Sequence, residues 1–189
     1  MRRSSSAILW MVSALVALLP VGAGAEELRL STGPMGGSWY PLGGAIAELI
    51  KEKAGVGVTV SPGGGIANVL AIETGKADMG FGNTSSTVDG VLGREPFKAK
   101  TQSVRYVSTL YRQFFQMVVR EDSGVKSVAD LKGKSIAPGP RGFTGEQIAR
   151  HVLQVYGLSY ADMSKVNHVG YNDAISLMRD RHLDAFMPI

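Results

Sequence analysis

"ELRLSTGPMGGSWYPLGGAIAELIKEK", residues 27–53, is the stretch whose reading decides the fold. Leu28 and Leu30 alternate with polar neighbours, the period of a strand. Gly33, Gly36 and Gly37, with Pro34 and Pro41, then bracket Ser38-Trp39-Tyr40, and a helix is predicted near Leu42–Lys53. A glycine-rich turn from strand into helix presents free backbone N–H groups at the positive end of the helix dipole, where an anion is favoured. The same order follows twice. "VGVTVS" (residues 56–61) runs through "PGGG" into a helix near Ile66–Thr74, and "ADMGFG" (77–82) runs through "NTSS" into a helical stretch near Thr87–Gly93. Strands alternating with helices in this way define an α/β fold built on parallel sheet with crossover helices.

Working outward, residues 104–122, "VRYVSTLYRQFFQMVVRED", read as a strand, a polar break and a second strand. The crossing between two lobes is expected within Leu110–Val119, with residues 26–110 forming the first lobe and 111–189 the hinge and second lobe. Residues 127–158 then give a short helix, a strand, a glycine loop and an amphipathic helix. A weak internal repeat supports similar lobes. "VTVSPGGGIANVLAIETGKADMGF" (58–81) and "VNHVGYNDAISLMRDRHLDAFM" (166–187) share strand, polar loop, helix, tight turn and Asp-containing strand, with Asp78 and Asp184 in matching places. Any two strand–helix–strand units share part of that order, so spacing alone leaves the repeat open. "LDAFMPI" (183–189) is a strand pattern with no helix after it. A half-built sheet leaves backbone groups unpaired, so the expectation is a shortened product lacking its return passage to the first lobe.

At the other end, Arg2 and Arg3, the apolar run Ala7–Leu19 and the small residues Ala23-Gly24-Ala25 follow the order of a cleaved secretory leader over residues 1–25. The expected location is therefore outside the inner membrane, in the periplasm. The chain carries +4 at pH 7, and loss of the two leader arginines brings it nearer neutrality. No basic block interleaves with aromatics, so nothing marks a nucleic-acid surface. There is no cysteine, hence no disulfide, thiolate metal site or lipid-anchoring thiol.

Ligands of open α/β folds sit at the carboxyl ends of parallel strands. Five such loops are visible: Gly33–Tyr40, Pro62–Gly65, Asn83–Ser86, Gly139–Thr144 and Gly170–Asn172. One alone is an ordinary capped turn; five together point to a ligand cleft. Neither a dinucleotide fingerprint nor a phosphate-binding Gly-Lys-Ser/Thr loop is present, since Met35 stands where the second glycine of the former belongs. His151, His168 and His182 lack metal-ligand spacing, and Asp78, Asp130, Asp173 and Asp184 suit turns and caps, so no catalytic set is assigned. No cofactor or metal is expected. The candidate ligand residues are Gly36, Gly37, Ser38, Trp39 and Tyr40; Gly63, Gly64 and Gly65; Asn83, Thr84 and Ser85; Arg141, Gly142, Phe143 and Thr144; and the aromatics Tyr111 and Tyr171. Backbone N–H groups and hydroxyls supply polar contact, aromatics wall a pocket, and a guanidinium at Arg141 suits a carboxylate. Phe114 and Phe115 read as hinge packing, and Glu146 as a favourable charge in the first turn of its helix.

"STGPMGGSWYPLGGAIAELI", "VTVSPGGGIANV", "GKADMGFGNTSS" and "SGVKSVADLKGKSIAPGPRGFTGEQIA" together resemble the TAXI family, the extracytoplasmic solute receptors of TRAP transporters. "SVADLKGK" is shared by many type II periplasmic binding proteins; the opening loop with "WYP" is more specific. The resemblance implies a two-lobed Venus-flytrap fold that closes on a small organic anion such as glutamate, glutamine or a dicarboxylate. It implies delivery to TRAP membrane permease subunits driven by an ion gradient, a monomeric receptor and no catalysis. Ser38-Trp39-Tyr40 is similar to the family's Thr/Ser-aromatic-Tyr turn, Gly63–Gly65 to its Thr-Gly-Gly-Ser loop, and Arg141–Thr144 to its Gly-Ser-Gly-Thr loop. Asn83-Thr84-Ser85 stands where Gln-Ser-Asp is common, Gly65 where Ser is common, and Arg141 and Phe143 are bulkier than usual, which leaves the solute open. The alternatives are a receptor of an ABC transporter, a periplasmic sensing domain, and a periplasmic enzyme on the same fold.

Overall fold

The computed structural model describes residues 27–189; the expected leader, residues 1–25, lies outside them. The first lobe runs β1 (Glu27–Ser31), α1 (Trp39–Ala54), β2 (Gly57–Ser61), α2 (Gly65–Glu73), β3 (Met79–Gly80) and α3 (Thr84–Leu92). Its sheet has the order β2-β1-β3, with both pairs parallel. After a long passage come β4 (Val118–Val119), β5 (Ser135–Ala137), α4 (Thr144–Val155), β6 (Lys165–Val166), α5 (Tyr171–Arg179) and β7 (Ala185–Phe186). This second sheet has the order β4-β7-β5-β6, all parallel except β4 against β7.

Set β4 aside and the two sheets have one topology. In each, the first strand is central, the second lies on one side of it and the third on the other. The matching extends to hydrogen bonds. Asp78 donates its N–H to the Arg29 carbonyl at 3.0 Å and accepts the Arg29 N–H on Oδ2 at 2.8 Å. Asp184 does the same with Ser135, at 3.0 and 2.8 Å. Three residues after each aspartate, just past the third strand, the backbone bonding to the central strand continues: Phe81 donates to Ser31, and Met187 to Ala137. The internal repeat read from sequence is therefore a structural duplication, and the two aspartates are its anchors.

Each sheet is covered by helices. Leu30, Trp39 and Phe81 form a core with Leu42 and Ile46 of α1, while Ile66 and Val69 of α2 pack with Phe97. In the second lobe Ile136 packs under Ala149 and Leu153 of α4, and its neighbour Ala137 faces Ala174 of α5. Adjacent strand residues thus serve opposite faces, as the pleat requires. Close approach of α1 to β1 depends on Gly43, where a Cβ would lie 2.3 Å from Cγ2 of Thr32.

Two local expectations differ from the structure. Residues 104–122 contribute the short strand β4 and the start of a 3-10 turn, Glu121–Ser123. Before β4 only Gln116 continues its pairing, donating to the Pro188 carbonyl at 2.9 Å, and residues 104–115 belong to no strand. Their strand-forming side chains lack a partner strand among the described residues, and Tyr106, Val107 and Phe114 are solvent-exposed. The helix expected in "SVADLKGK" is a single 3-10 turn, Val128–Leu131, closed at its start by Asp130 accepting the N–H groups of Lys126 and Ser127.

Candidate functional site

Four helices begin at one place. Trp39 opens α1, Gly65 opens α2, Thr144 opens α4 and Tyr171 opens α5, and all four line a cleft between the lobes, with Asn83 just before α3. The cleft encloses roughly 500 Å³ of empty space, part of it open to solvent. None of these five helices has its first N–H groups capped by its own N-cap side chain. Orphan amides at a helix start normally take a side-chain, water or ligand acceptor. Here the sequence places Gly64, Phe143 and Gly170 at the cap, residues without a capping oxygen, so acceptors for these amides must come from elsewhere.

The glycines on the first lobe make room for the second. Gly36, at φ +87°, sits where a Cβ would lie 2.3 Å from Oδ1 of Asn172, and a Cβ on Gly37 would meet the Tyr171 ring at 3.1 Å. A Cβ on Gly64 would fall 2.4 Å from the Phe143 ring, and one on Gly65 would fall 2.3 Å from Oγ1 of Thr144. Polar contacts cross at the same points. Ile66 donates its N–H to Oγ1 of Thr144 at 3.1 Å, Ser38 and Tyr111 share a hydroxyl bond of 3.2 Å, and Asn83 donates to Gln113 at 2.6 Å. The Thr144 hydroxyl thus serves as acceptor for the α2 N-terminus from the opposite lobe.

Behind the first-lobe loops lies Asn68, buried at 1% exposure. Its Oδ1 accepts from the Gly64 N–H and the Ser31 hydroxyl, at 3.0 and 2.7 Å. Its Nδ2 faces the carbonyls of Ser31, Thr32 and Phe81, at 3.2, 2.6 and 2.8 Å. One side chain therefore ties the ends of β1 and β3 to the glycine loop. Gly63 is part of that packing, since a Cβ there would lie 2.1 Å from Oδ1 of Asn68.

Of the residues singled out from sequence, the cleft is lined by Gly37, Ser38, Trp39, Gly64, Gly65, Asn83, Phe143, Thr144 and Tyr171. Trp39 is largely a core residue, edge-on to Phe81 with ring centres 5.5 Å apart. Tyr171 is held by the Ile189 N–H on its hydroxyl at 3.1 Å, and burial raises the pKa of its phenol. Gly36, Tyr40, Gly63, Thr84, Ser85, Tyr111, Arg141 and Gly142 are outside the lining. Thr84 and Ser85 point to solvent on the first turn of α3, whereas Ser86 is the buried hydroxyl there. Arg141 and Gly142 are at an exposed loop tip, where Gly142 adopts φ +78°.

Pro34, Gly139 and Pro140, inside loops marked from sequence but not named as ligand residues, also line the cleft, as does Glu146, read from sequence as a helix charge. Sequence reasoning passed over Gln113, Pro138, Gly145, Met187 and Ile189. The signal for Pro138, Gly139 and Pro140 was present in the duplication: "STGP" ending β1 corresponds to "APGP" ending β5, so these three repeat Thr32, Gly33 and Pro34. Glu146 is buried, bonded by the Tyr160 hydroxyl at 3.0 Å and 3.1 Å from Nε of Arg150. Burial, and then the Glu146 charge, push the Tyr160 phenol far above its ordinary value, so it stays a proton donor. His168 faces the Gly139 carbonyl with Nδ1 at 3.2 Å. Among the described residues no group of three or more His, Asp or Glu side chains is placed to hold a metal ion.

Two mainly parallel sheets with a shared three-stranded topology, helix starts converging on the gap between them, and a long connection from one to the other define the architecture seen in type II periplasmic binding proteins. Solved structures share it. The alkanesulfonate-binding protein SsuA of Xanthomonas axonopodis pv. citri, bound to MOPS, superposes with a TM-score of 0.53 at 18% identity, over 85% of this chain and 53% of that one. An ancestral arginine-binding protein bound to arginine gives 0.56 at 21%, over 86% and 69%. The holo form of ArgBP from T. maritima gives 0.57 at 18%, over 86% and 68%. The chain thus spans about half the length of the sulfonate-binding protein. Residues 30–188 match the NMT1-like family, and the chain belongs to it.

Proposed function

We propose that this chain is the solute-capturing part of an extracytoplasmic receptor that takes a small organic acid between its lobes and presents it to a membrane permease. The observation that carries this reading is the meeting of uncapped helix starts from both lobes in one cleft. Each exposed helix start favours an anion by roughly 0.3–1 kcal/mol, and enclosure strengthens it. A carboxylate placed there satisfies amides in both lobes at once, so it favours the closed arrangement by its difference in affinity for the two forms. The bound solutes of the structural relatives, a sulfonate buffer and an amino acid, are small molecules of that kind. No residue in the cleft is assigned a catalytic role.

The resemblance of residues 31–50 to the TAXI receptors favours a TRAP-type permease as the partner and a monomeric receptor. An ABC-type permease is the alternative, supported by the same fold. Purified full-length protein is expected to gain several degrees in melting temperature with at least one acid among glutamate, glutamine, succinate and alkanesulfonates. Absence of a shift with every small acid in a metabolite library would remove the reading. Co-purification of the receptor with its permease from membranes separates the transporter classes.

A further inference from the structure

Among the described residues, Glu146 has the only formally charged side chain lining the cleft, and that charge is negative. It stands in the first turn of α4 with its side chain 7% exposed. Its Oε1 accepts the Tyr160 hydroxyl at 3.0 Å. Nε of Arg150 lies 3.1 Å from the same oxygen, at an angle that makes an ion pair and no hydrogen bond. Nothing among the described residues donates a hydrogen bond to Oε2. Oε2 is not one of the fully enclosed polar atoms, so it keeps access to solvent and has acceptor capacity to offer a donor. No arginine, lysine or histidine lines the cleft to offset it there.

Resting on the receptor reading above, we propose that Glu146 is the specificity-determining residue of the cleft, and that its free oxygen accepts a hydrogen bond from a nitrogen donor of the solute. The solute class is then a small acid that also carries an ammonium or amide N–H, with its carboxylate at the helix starts and its nitrogen at Glu146. A solute anionic at both ends brings a second negative charge towards Glu146 and is rejected by like-charge repulsion. Tyr160 and Arg150 act on the solute only through Glu146, by holding its other oxygen, Oε1.

Calorimetric titration of the full-length protein with two chain-matched pairs tests this: 4-aminobutanoate against succinate, and 5-aminopentanoate against glutarate, with L-glutamine as an amide-bearing probe. The nitrogen-bearing probes are expected to bind about tenfold or more tightly than their dicarboxylate counterparts, the scale of one hydrogen bond to a charged group. Glu146→Gln is expected to bring that ratio close to one, with folding checked by circular dichroism. Because the wild-type ratio is informative by itself, the test survives a variant that fails to fold. Equal or tighter binding of succinate and glutarate, or an unchanged ratio in Glu146→Gln, overturns the specificity role while leaving the receptor reading standing. Binding of no small acid at all overturns both.

Discussion

Asn68 does more for the first half-site than any residue that touches the cleft directly. Its amide spans the carbonyls of Thr32 and Phe81 and the N–H of Gly64, three backbone groups from three different loops. All are buried with it, and a buried backbone group left unpaired costs about 1–3 kcal/mol. Asn68→Ala is therefore expected to lower the unfolding free energy by roughly 3–5 kcal/mol in urea titration. Asn68→Asp is expected to do worse, since it presents a carboxylate to carbonyl oxygens. A loss under about 1 kcal/mol for Asn68→Ala would mean that the three loops hold their ends without it. In the second lobe the corresponding helix position is Ala174, buried in an apolar cluster, so the polar tie exists on one side only. Nothing in the sequence marks Asn68. An asparagine inside the helical run "GIANVLAIE" looks like a solvated polar position, and only the placing of β1 and β3 around it shows its partners.

Among the elements, the strand pairs β1–β3 and β5–β7 are fastened by the same device, an aspartate just before the third strand that takes the N–H of the central strand. Arg29 holds the Asp78 carboxyl well below its usual range, at about 2 against an ordinary 3.8, chiefly by donating side-chain hydrogen bonds to it. For Asp184, burial pushes the carboxyl up, but the Ser135 N–H and hydroxyl together with the Arg120 charge outweigh it, and the net direction is down. A depressed folded-state value means stabilisation that is present above the ordinary value and lost as pH falls through the folded one. For Asp78 that window runs from 3.8 down to about 2. The urea midpoint is expected to fall across it, and Asp78→Asn, already lacking the ionisable group, is expected to fall less steeply. Parallel curves for the two proteins would show that other carboxylates govern acid unfolding. The strand–helix order and the matched aspartates were legible because β-branched runs, glycine loops and a helical period each leave a local trace. The fate of residues 104–115 was not, because strand propensity in Val104, Tyr106 and Val107 describes side chains that fit a sheet and says nothing of whether a partner strand lies beside them.

At the scale of the whole molecule, the glycines read as a ligand-holding motif are in large part clearance for the other lobe. The opening loop receives Tyr171 and Asn172, and the "GGG" loop receives Phe143 and Thr144. Spacing along one segment cannot reveal this, since the facing residues arrive from the far end of the chain. Gly64 isolates the effect. Its backbone is extended, at φ −175° and ψ 145°, a conformation open to alanine without strain. The atoms nearest its Cβ would be those of the Phe143 ring, at 2.4 Å, a distance that forces something to move. Gly64→Ala is therefore expected to leave the first lobe's own packing intact while holding the lobes apart. The melting temperature without ligand should change little, small-angle scattering should report a larger radius of gyration, and affinity for any small acid bound by the wild type should fall by about tenfold or more, the scale of one blocked contact. Pairing it with Phe143→Ala, which removes the opposing ring, should restore both compactness and binding in the double variant, because two residues in direct contact couple. Gly64→Ala binding as tightly as wild type would mean that the closed arrangement does not need Phe143 to seat on the glycine loop. Failure of the double variant to recover would place the damage inside the first lobe, and the clearance argument would fall with it.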